Sequence, residues 1–334
     1  MTGPDPFRSA RRSVSVVLPV LNESASLAVL LPRIASILDG LGLDWEAVVI
    51  DDGGSDNLGW TVADFERTHP ASNVQLIRLS RNFGKEAALT AGLRAARGDA
   101  AICMDGDGQH PPELIVRMIE RWRSGYDMVM GAQTRRDQEP RLLVWAKRIF
   151  YRLLQRGERF AIPSHAGDFR LLDRRVVDAL LQLPERSRYM KGLYAWLGFR
   201  WVIEPFTAHE RISGSSKFRL GHLMELAALG LTSFSMRPLR MVSGIGIGIS
   251  LLALCYGIYI AVETLVIGNP VSGWTTLASG IMLLSGIQLV CLGVMAEYLG
   301  RIFEETKQRP LYVIDTVTDH SRLGSKPALQ QVQG

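Results

Sequence analysis

The chain has 334 residues, enough for about two domains, and 47% of them are hydrophobic while 21% are charged. This composition excludes a chain that is disordered over most of its length, because disorder goes with low hydrophobicity and high net charge. The net charge of +5 fits an anionic partner, such as a nucleic acid, a membrane surface or a phosphorylated substrate. Three cysteines make no disulfide framework. Cys103, Cys255 and Cys291 lie in apolar runs and are expected to be buried, reduced thiols.

A repeating pattern of strands and helices follows a polar N-terminal segment, residues 1–13, in which we expect no signal peptide. Apolar runs predict strands at residues 14–21, 46–50, 74–79, 100–104 and 127–130. Helical patterns occupy residues 24–41, 60–68, 85–96 and 112–123. Such alternation predicts βαβ units and a parallel sheet covered on both faces. In these sheets, ligands bind outside the carboxyl ends of the strands.

Two pairs of aspartates follow predicted strands. Asp51 and Asp52 close the second strand, and Asp105 and Asp107 follow the fourth. Residues two apart in an extended segment point the same way, so Asp105 and Asp107 present their carboxylates to one point. A divalent cation such as Mg²⁺ neutralises such a pair, and Gln109 lies on the same side by the same period. The alternative is that these aspartates are turn or capping residues.

Glycine-rich nucleotide motifs do not occur where such motifs would need to stand. The first strand is followed by Pro19-Val-Leu-Asn-Glu23 instead of the glycine fingerprint of dinucleotide-binding domains. The segment from Arg81 to Lys85 has Leu79 where a phosphate-binding P-loop needs its first glycine. The sequence therefore argues against a dinucleotide-dependent oxidoreductase.

The most apolar part of the chain lies towards its C-terminus. Residues 242–262 and 274–296 contain no charged side chain, and each is long enough to cross a bilayer as a helix. We therefore predict two transmembrane helices within residues 241–300. We also predict a juxtamembrane amphipathic helix at residues 219–240, for which the alternative is a place in a soluble core.

Basic residues flank the predicted hairpin at both of its outer ends: Arg237, Arg240, Arg301, Lys307 and Arg309. By the positive-inside rule, the N-terminal part of the chain and both termini are predicted to be cytoplasmic. The remaining residues, 301–334, form a cytoplasmic tail that is polar and is predicted to be disordered after about Val317.

Eight short motifs follow one another along the chain: Pro19-Val-Leu-Asn-Glu23, Asp51-Asp-Gly53, Ser80-Arg-Asn-Phe-Gly-Lys85, Asp105-Gly-Asp-Gly-Gln-His-Pro-Pro112, Gly167-Asp-Phe-Arg-Leu171, Met190-Lys-Gly192, Arg211-Ile-Ser-Gly-Ser-Ser-Lys217 and Glu297-Tyr-Leu-Gly-Arg301. With the predicted hairpin, they resemble glycosyltransferase family 2 in its polyisoprenyl-phosphate branch. The resemblance covers nearly the whole chain, from about residue 15 to residue 312. It implies an α/β fold of the GT-A type, a Rossmann-like and mostly parallel sheet, over residues 14–218.

The resemblance also implies roles for the matching residues. The nucleotide sugar would bind to Pro19, Leu21, Glu23, Asp51, Asp52, Arg81, Lys85 and Asp105. A divalent metal, Mg²⁺ or Mn²⁺, would bind to Asp105, Asp107 and Gln109. Catalysis is assigned to Asp107, Asp168 and Arg170, and the acceptor phosphate to Arg135, Arg170, Arg211, Ser216 and Lys217. The alternatives are a turn role for Asp52, a place at a helix start for His110, and a juxtamembrane basic patch for Arg211 and Lys217.

Some positions depart from the family pattern. Gly54 stands where serine is usual, which predicts a looser turn, and Gly106 and Gly108 stand where alanine and leucine are usual, which predicts a more flexible loop. Gln133 stands where many relatives have an arginine, so either Arg135 or Arg136 is expected to take its phosphate-binding role.

The resemblance implies an inverting, metal-dependent enzyme that transfers a sugar to a polyprenyl phosphate. The implied substrates are UDP-glucose and undecaprenyl phosphate, and nucleic acid is no longer an expected partner. The implied location is the bacterial inner membrane, where a multi-pass homo-oligomer would have its catalytic domain in the cytoplasm. One rival is a processive polysaccharide synthase, although Leu197 replaces the glutamine of that class before Arg200-Trp201. A second is a catalytically silent membrane scaffold or sugar-nucleotide sensor, against which the intact Asp-x-Asp motif argues.

Overall fold

The computed structural model describes residues 13–133, 166–186, 188–207 and 273–323, together with ten residues between 246 and 266. The chain divides into two compact units. The sheet unit contains residues 1–220 and 309–334, and the helical unit contains residues 221–308. The predicted amphipathic helix at residues 219–240 lies outside the described residues.

The described part of the sheet unit contains eight strands and six helices. The strands are β1 Ser13–Val20, β2 Asp44–Asp51, β3 Val74–Leu79, β4 Ala100–Cys103, β5 Met128–Gln133, β6 Ala166–Asp173, β7 Trp201–Phe206 and β8 Ile314–Asp319. The helices are α1 Ser24–Gly40, α2 Leu58–Thr68, α3 Lys85–Ala95, α4 Leu114–Arg123, α5 Arg174–Gln182 and α6 Met190–Leu197. The nine elements predicted up to residue 130 are confirmed to within a few residues at each end.

The eight strands form one sheet in the order β7-β5-β6-β4-β1-β2-β3-β8. Neighbours pair in parallel in β1 with β2, β1 with β4, β2 with β3, and β5 with β7. β6 is antiparallel to both β4 and β5, and β8 is antiparallel to β3. The predicted α/β class with a mostly parallel sheet is therefore confirmed. Because β6 is reversed, its first residues lie beside the carboxyl end of β4.

The central strands are apolar throughout because helices cover both faces of the sheet. Seven of the eight residues of β1 are buried. α1 buries a stripe of leucine and isoleucine at the spacing of one helix face: Leu27, Leu30, Leu31, Ile34 and Leu38. Strands that are buried on both sides form a rigid platform, and the loops at their carboxyl ends are held in place by it.

The predicted disorder of the tail after Val317 is wrong at its beginning. β8 continues to Asp319 and adds a strand to the edge of the sheet beside β3. Beyond it, the Ser321 hydroxyl donates to Glu46 Oε2 at 2.5 Å, and Arg97 forms an ion pair with Asp319. Glu46 is fully buried, so the tail provides a partner for a carboxylate inside the fold.

The helical unit contains one long helix, α7, which spans Trp274–Thr306 and continues ten residues beyond the predicted second span. Within the described residues, Leu284–Thr306 is the only helical stretch long and apolar enough to cross a membrane. The ten described residues between 246 and 266 are helical. The rest of the first predicted span lies outside the described residues.

The three cysteines differ in burial. Cys103 is buried in β4 as predicted, Cys255 is exposed, and Cys291 is only partly buried. The prediction of burial is therefore wrong for Cys255, because an apolar run on a helix surface does not by itself enclose a side chain.

Candidate active site

Four charged side chains meet at the carboxyl end of β4. Asp105 follows β4, and Asp168 lies near the start of the reversed strand β6. Lys85, the first residue of α3, places its Nζ 2.7 Å from an oxygen of each of these carboxylates. The Nζ of Lys191, in the first turn of α6, lies 3.5 Å from Asp168 Oδ1. We call these residues, in the order Asp105, Lys85, Asp168, Lys191, the charged row.

The ion pairs in the charged row fix the protonation states of its members. Burial favours the neutral forms of Lys85 and Asp168, but the pairing outweighs it. The two carboxylates raise the pKa of Lys85 above its usual value. Lys85 and Lys191, with a smaller effect of Arg170, hold the pKa of Asp168 below its usual range. Both groups are therefore charged at neutral pH.

A histidine positions the loop that carries Asp105 and Asp107. His110 Nδ1 accepts the backbone N–H of Asp105 at 3.1 Å, and its ring stacks on Phe169 with centroids 4.9 Å apart. Burial lowers the pKa of His110, so the ring is neutral at neutral pH and carries its proton on Nε2. Asp107 Oδ1 accepts the backbone N–H of Gln109 at 3.0 Å. His110 thus acts as more than a residue at a helix start.

Two glycines give the same loop its tight conformation. A Cβ on Gly106 would lie 2.4 Å from Val20 Cγ1 and 2.8 Å from Glu23 Oε2. Gly108 has a φ of 78°, in the left-handed region that favours glycine. The predicted looseness at these positions is wrong, because the missing side chains let the loop pack against the end of β1.

The first aspartate pair holds two backbone turns. Asp51 Oδ1 accepts the N–H of Gly54 at 2.7 Å, and Asp52 accepts the N–H groups of Phe83 and Gly84 at 2.8 and 3.0 Å. Both carboxylates are buried, and this burial raises the pKa of each. These contacts favour the turn interpretation of Asp52, and nucleotide binding by either residue stays a prediction.

The remaining residues predicted to bind the nucleotide sugar lie at the ends of β1 and β3. Pro19 is buried within β1, and Leu21 and Glu23 are partly buried just beyond it. Arg81 is exposed, with its guanidinium 4.1 Å from the centre of the Phe83 ring. Their proposed contacts with a nucleotide stay predictions.

Arg170 is enclosed by the protein, with only 2% of its surface exposed. Its Nε donates to the Gly167 carbonyl at 3.0 Å, and its guanidinium lies 4.5 Å from the centre of the Tyr194 ring. This burial is at odds with the predicted direct contact between Arg170 and an acceptor phosphate. The buried charge instead acts on its neighbour Asp168, whose pKa it helps to lower.

Comparison with known proteins agrees with this site. Residues 15–181 match the family described as Glycosyl transferase family 2, and residues 237–302 match the GtrB C-terminal hairpin. The uncharacterized glycosyltransferase sll0501 of Synechocystis is 40% identical, over 90% of this chain and 94% of that protein. The bactoprenol glucosyl transferase of Shigella phage SfV is 38% identical, over 90% of this chain and 97% of that protein. The chain belongs to glycosyltransferase family 2.

One solved structure in the comparison is mannosyl-3-phosphoglycerate synthase from Rubrobacter xylanophilus, which is 18% identical with a TM-score of 0.47. The match covers 69% of this chain and 74% of that one. Another is glucosyl-3-phosphoglycerate synthase from Mycobacterium tuberculosis in complex with Mn²⁺ and UDP-glucose, 20% identical with a TM-score of 0.44. It covers 68% of this chain and 79% of that one.

Several acceptor residues predicted for this family 2 glycosyltransferase lie outside the described residues: Arg135, Arg136, Arg211, Ser216 and Lys217. Gln133, which replaces the usual arginine, is the last residue of β5. The choice between Arg135 and Arg136 as its substitute therefore stays a prediction.

The loop after β4 has the donor set for a divalent cation. Asp105 and Asp107 supply two carboxylates, a set that Mg²⁺ and Mn²⁺ accept when substrate phosphates and water complete their coordination. Within the described residues, no cluster of three or more histidine, cysteine, aspartate or glutamate side chains forms a metal site by itself. The residues present thus fit a cation that is held jointly by the protein and a nucleoside diphosphate.

Sequence analysis missed two charged residues of the site, Glu86 and Lys191. Both adjoin or belong to motifs of the glycosyltransferase family, but their partners come from distant elements. Burial, together with the nearby Asp168, raises the pKa of Glu86 from 4.5 to about 7, against the opposing effect of Lys85 and Lys191. A carboxyl group that titrates near neutral pH is typical of functional sites.

We predict that Glu86→Gln stabilises the protein at about pH 8 and has little effect at about pH 5. The pKa of Glu86 is about 7 in the folded protein and about 4.5 when unfolded, so the native state binds more protons between these values and stability falls as pH rises through them. Glutamine removes that loss, which we expect to add about 1–2 kcal/mol to the free energy of unfolding at the higher pH. Urea unfolding in detergent at both pH values measures it. An equal change at both would contradict the prediction.

Proposed function

We propose that this protein transfers glucose from UDP-glucose to undecaprenyl phosphate at the bacterial inner membrane. The observation that carries the proposal is the similarity to bactoprenol glucosyl transferases along nine-tenths of the chain, from the sheet unit through the hairpin. The charged row supports it, because this part of the fold holds ionised groups suited to a reaction between two phosphate-bearing substrates.

In the proposed reaction an oxygen of the acceptor phosphate attacks C1 of the glucose. The bond from C1 to the diphosphate breaks, its electron pair leaves with UDP, and the configuration at C1 inverts in this single displacement. A lipid phosphate is already an anion at neutral pH, so it needs positioning and neutralisation of charge more than a general base. Lys85 supplies positive charge at this place, and Asp168 fixes its position.

We propose that Asp105, Asp107 and Gln109 hold Mg²⁺ or Mn²⁺ together with the diphosphate of the donor. When bound, the cation supplies positive charge that stabilises the leaving UDP. His110 contributes by holding the Asp105 backbone, and the close packing of Gly106 keeps the loop against the end of β1. This arrangement sets the direction in which the two carboxylates point before the donor arrives.

For the remaining predicted contacts we propose the roles that the family resemblance implies. The base and ribose of the nucleotide would lie near Pro19, Leu21, Glu23, Asp51, Asp52 and Arg81. The acceptor phosphate would contact Arg135, Arg211, Ser216 and Lys217. Arg170 keeps a positioning role in this proposal, because its guanidinium is buried against Tyr194.

We propose that the hairpin crosses the membrane twice and leaves both termini and the sheet unit in the cytoplasm. The apolar stretch Leu284–Thr306 and the match of residues 237–302 to a C-terminal hairpin support this topology. The basic residues at the outer ends of the hairpin support the orientation. Self-association through the hairpin completes the proposal, and chemical cross-linking in native membranes tests it.

A processive polysaccharide synthase fits the structure less well. Arg200 and Trp201, which resemble part of the motif of that class, lie at the beginning of β7. β7 has the same direction as β4, so these residues lie at the opposite edge of the sheet from Asp105. The Arg200 guanidinium stacks on Tyr126, 4.7 Å from its ring centre.

Radiolabelled sugar transfer in membranes tests the proposal. Membranes containing the protein are incubated with undecaprenyl phosphate and a panel of labelled UDP- and GDP-sugars, and the lipid extract is analysed. We expect label from UDP-glucose in a single-sugar lipid, and its loss with EDTA. Label only from another sugar would overturn the donor assignment, and a polymer would favour the processive synthase. No label from any sugar would favour the sensor or scaffold.

A further inference from the structure

The charged row has two chemically different ends. At one end, Asp105 belongs to the loop with the donor set for a divalent cation. At the other end, Lys191 contacts Asp168 Oδ1, whereas Lys85 contacts Asp168 Oδ2. The charges therefore alternate from the cation loop outwards, and the row ends in a positive group.

The two lysines are held very differently. Lys85 donates to Asp105 and to Asp168 at 2.9 and 2.7 Å, so it bridges two carboxylates. The Nζ of Lys191 lies 3.5 Å from Asp168, which is longer than a good hydrogen bond, and 31% of its side chain is exposed. An ammonium group has three donors. Those of Lys191 are therefore placed to turn towards an anion that approaches from solvent.

The position of Lys191 on its helix is unfavourable for stability alone. It is the second residue of α6, and a cation near a helix N-terminus is repelled by the helix dipole. The ionised Asp168 compensates for this repulsion only from one side. Positive charge from a lysine and from a helix start then falls on the same place, which favours binding of an anion there.

We propose that Lys191 is a ligand of the acceptor phosphate, held in readiness by Asp168. This inference rests on the proposed function, in which two phosphate-bearing substrates meet at the site. The donor diphosphate is assigned to the Asp105 end with the cation, and Lys191 at the far end serves the phosphate of the lipid. The Lys191 proton stays on Nζ throughout, because the residue contributes charge and position only.

Kinetics with each substrate varied in turn tests this assignment. With UDP-glucose saturating, Lys191→Ala is expected to raise the KM for undecaprenyl phosphate about tenfold or more, because one charge-assisted contact is lost. The KM for UDP-glucose should stay within about twofold of the original value. Lys191→Arg should restore most of the affinity for the lipid phosphate. Arg67→Ala, which removes an exposed cation paired with Asp64, is the matched control and should change neither constant.

A binding measurement separates this inference from the proposed function. Calorimetric titration with a short-chain polyprenyl phosphate, in the absence of any sugar donor, should show affinity reduced about tenfold in Lys191→Ala. Binding of UDP should be unchanged. A larger effect on UDP than on the lipid phosphate, or no effect on either, would overturn the inference. So would an equal loss of both with a lower melting temperature. A wild-type protein that binds the lipid phosphate through Lys191 but transfers no sugar would refute only the proposed function.

Discussion

Replacing Asp107 with asparagine is expected to lower the rate of sugar transfer by about a hundredfold to a thousandfold. Asparagine keeps the size of the side chain and an oxygen that accepts the Gln109 N–H, so the loop after β4 should keep its shape. It removes one of the two negative charges that hold the cation. Asp105→Asn should have an effect of similar size, and Lys85 should then remain paired through Asp168.

Transfer of labelled glucose to lipid in membranes measures this effect across a range of Mn²⁺ concentrations. Binding of Mn²⁺ in the presence of UDP provides a second readout, and its affinity should fall at least about tenfold in both variants. Asp64→Asn is the control, since Asp64 lies on α2 in a surface ion pair with Arg67. An Asp107→Asn protein that transfers sugar at the original rate in EDTA would refute the metal assignment.

Local patterns were sufficient for the parts of the molecule in which a residue and its partner are close in sequence. The apolar runs of β1 to β5 were recognisable because each strand is buried on both faces by helices that follow it directly. The two-residue spacing of Asp105 and Asp107 was recognisable for the same reason, as was their place after β4. These features depend on contacts within about thirty residues of the chain.

Features that depend on the reversal of β6 were beyond local patterns. Asp168 and Arg170 are two residues apart in a strand, which suggests that both face the same ligand. Asp168 lies near the strand end and is 35% exposed, whereas Arg170 lies opposite Cys103 and is buried. The same reversal brings Lys191 and Lys85 onto one carboxylate. The pairing of β6 with β4 is set by segments more than sixty residues apart, and no spacing along the chain reveals it.

Truncation after Gln308 is expected to destabilise the sheet unit by at least about 2 kcal/mol, or about 5 °C in melting temperature. The truncation removes β8 and leaves β3 as an open sheet edge. It also removes the Ser321 hydroxyl from Glu46, which is fully buried in β2. A buried carboxylate that loses a donor costs more than the donor contributed when paired. Thermal unfolding in detergent, followed by tryptophan fluorescence, measures the change.

Two further variants assign this loss to its cause. Truncation after Gly324 keeps β8 and the contacts of Ser321, so it should leave the melting temperature unchanged. Ser321→Ala keeps the strand but removes one donor from Glu46, and should cost about 1 kcal/mol. If truncation after Gln308 had no effect, β8 would not belong to the stable sheet. If Ser321→Ala cost as much as the truncation, the buried carboxylate and not the added strand would account for the anchoring of the tail. The expected intermediate value means that both contribute. The C-terminal chain would then hold the sheet edge from the side on which it returns from the hairpin.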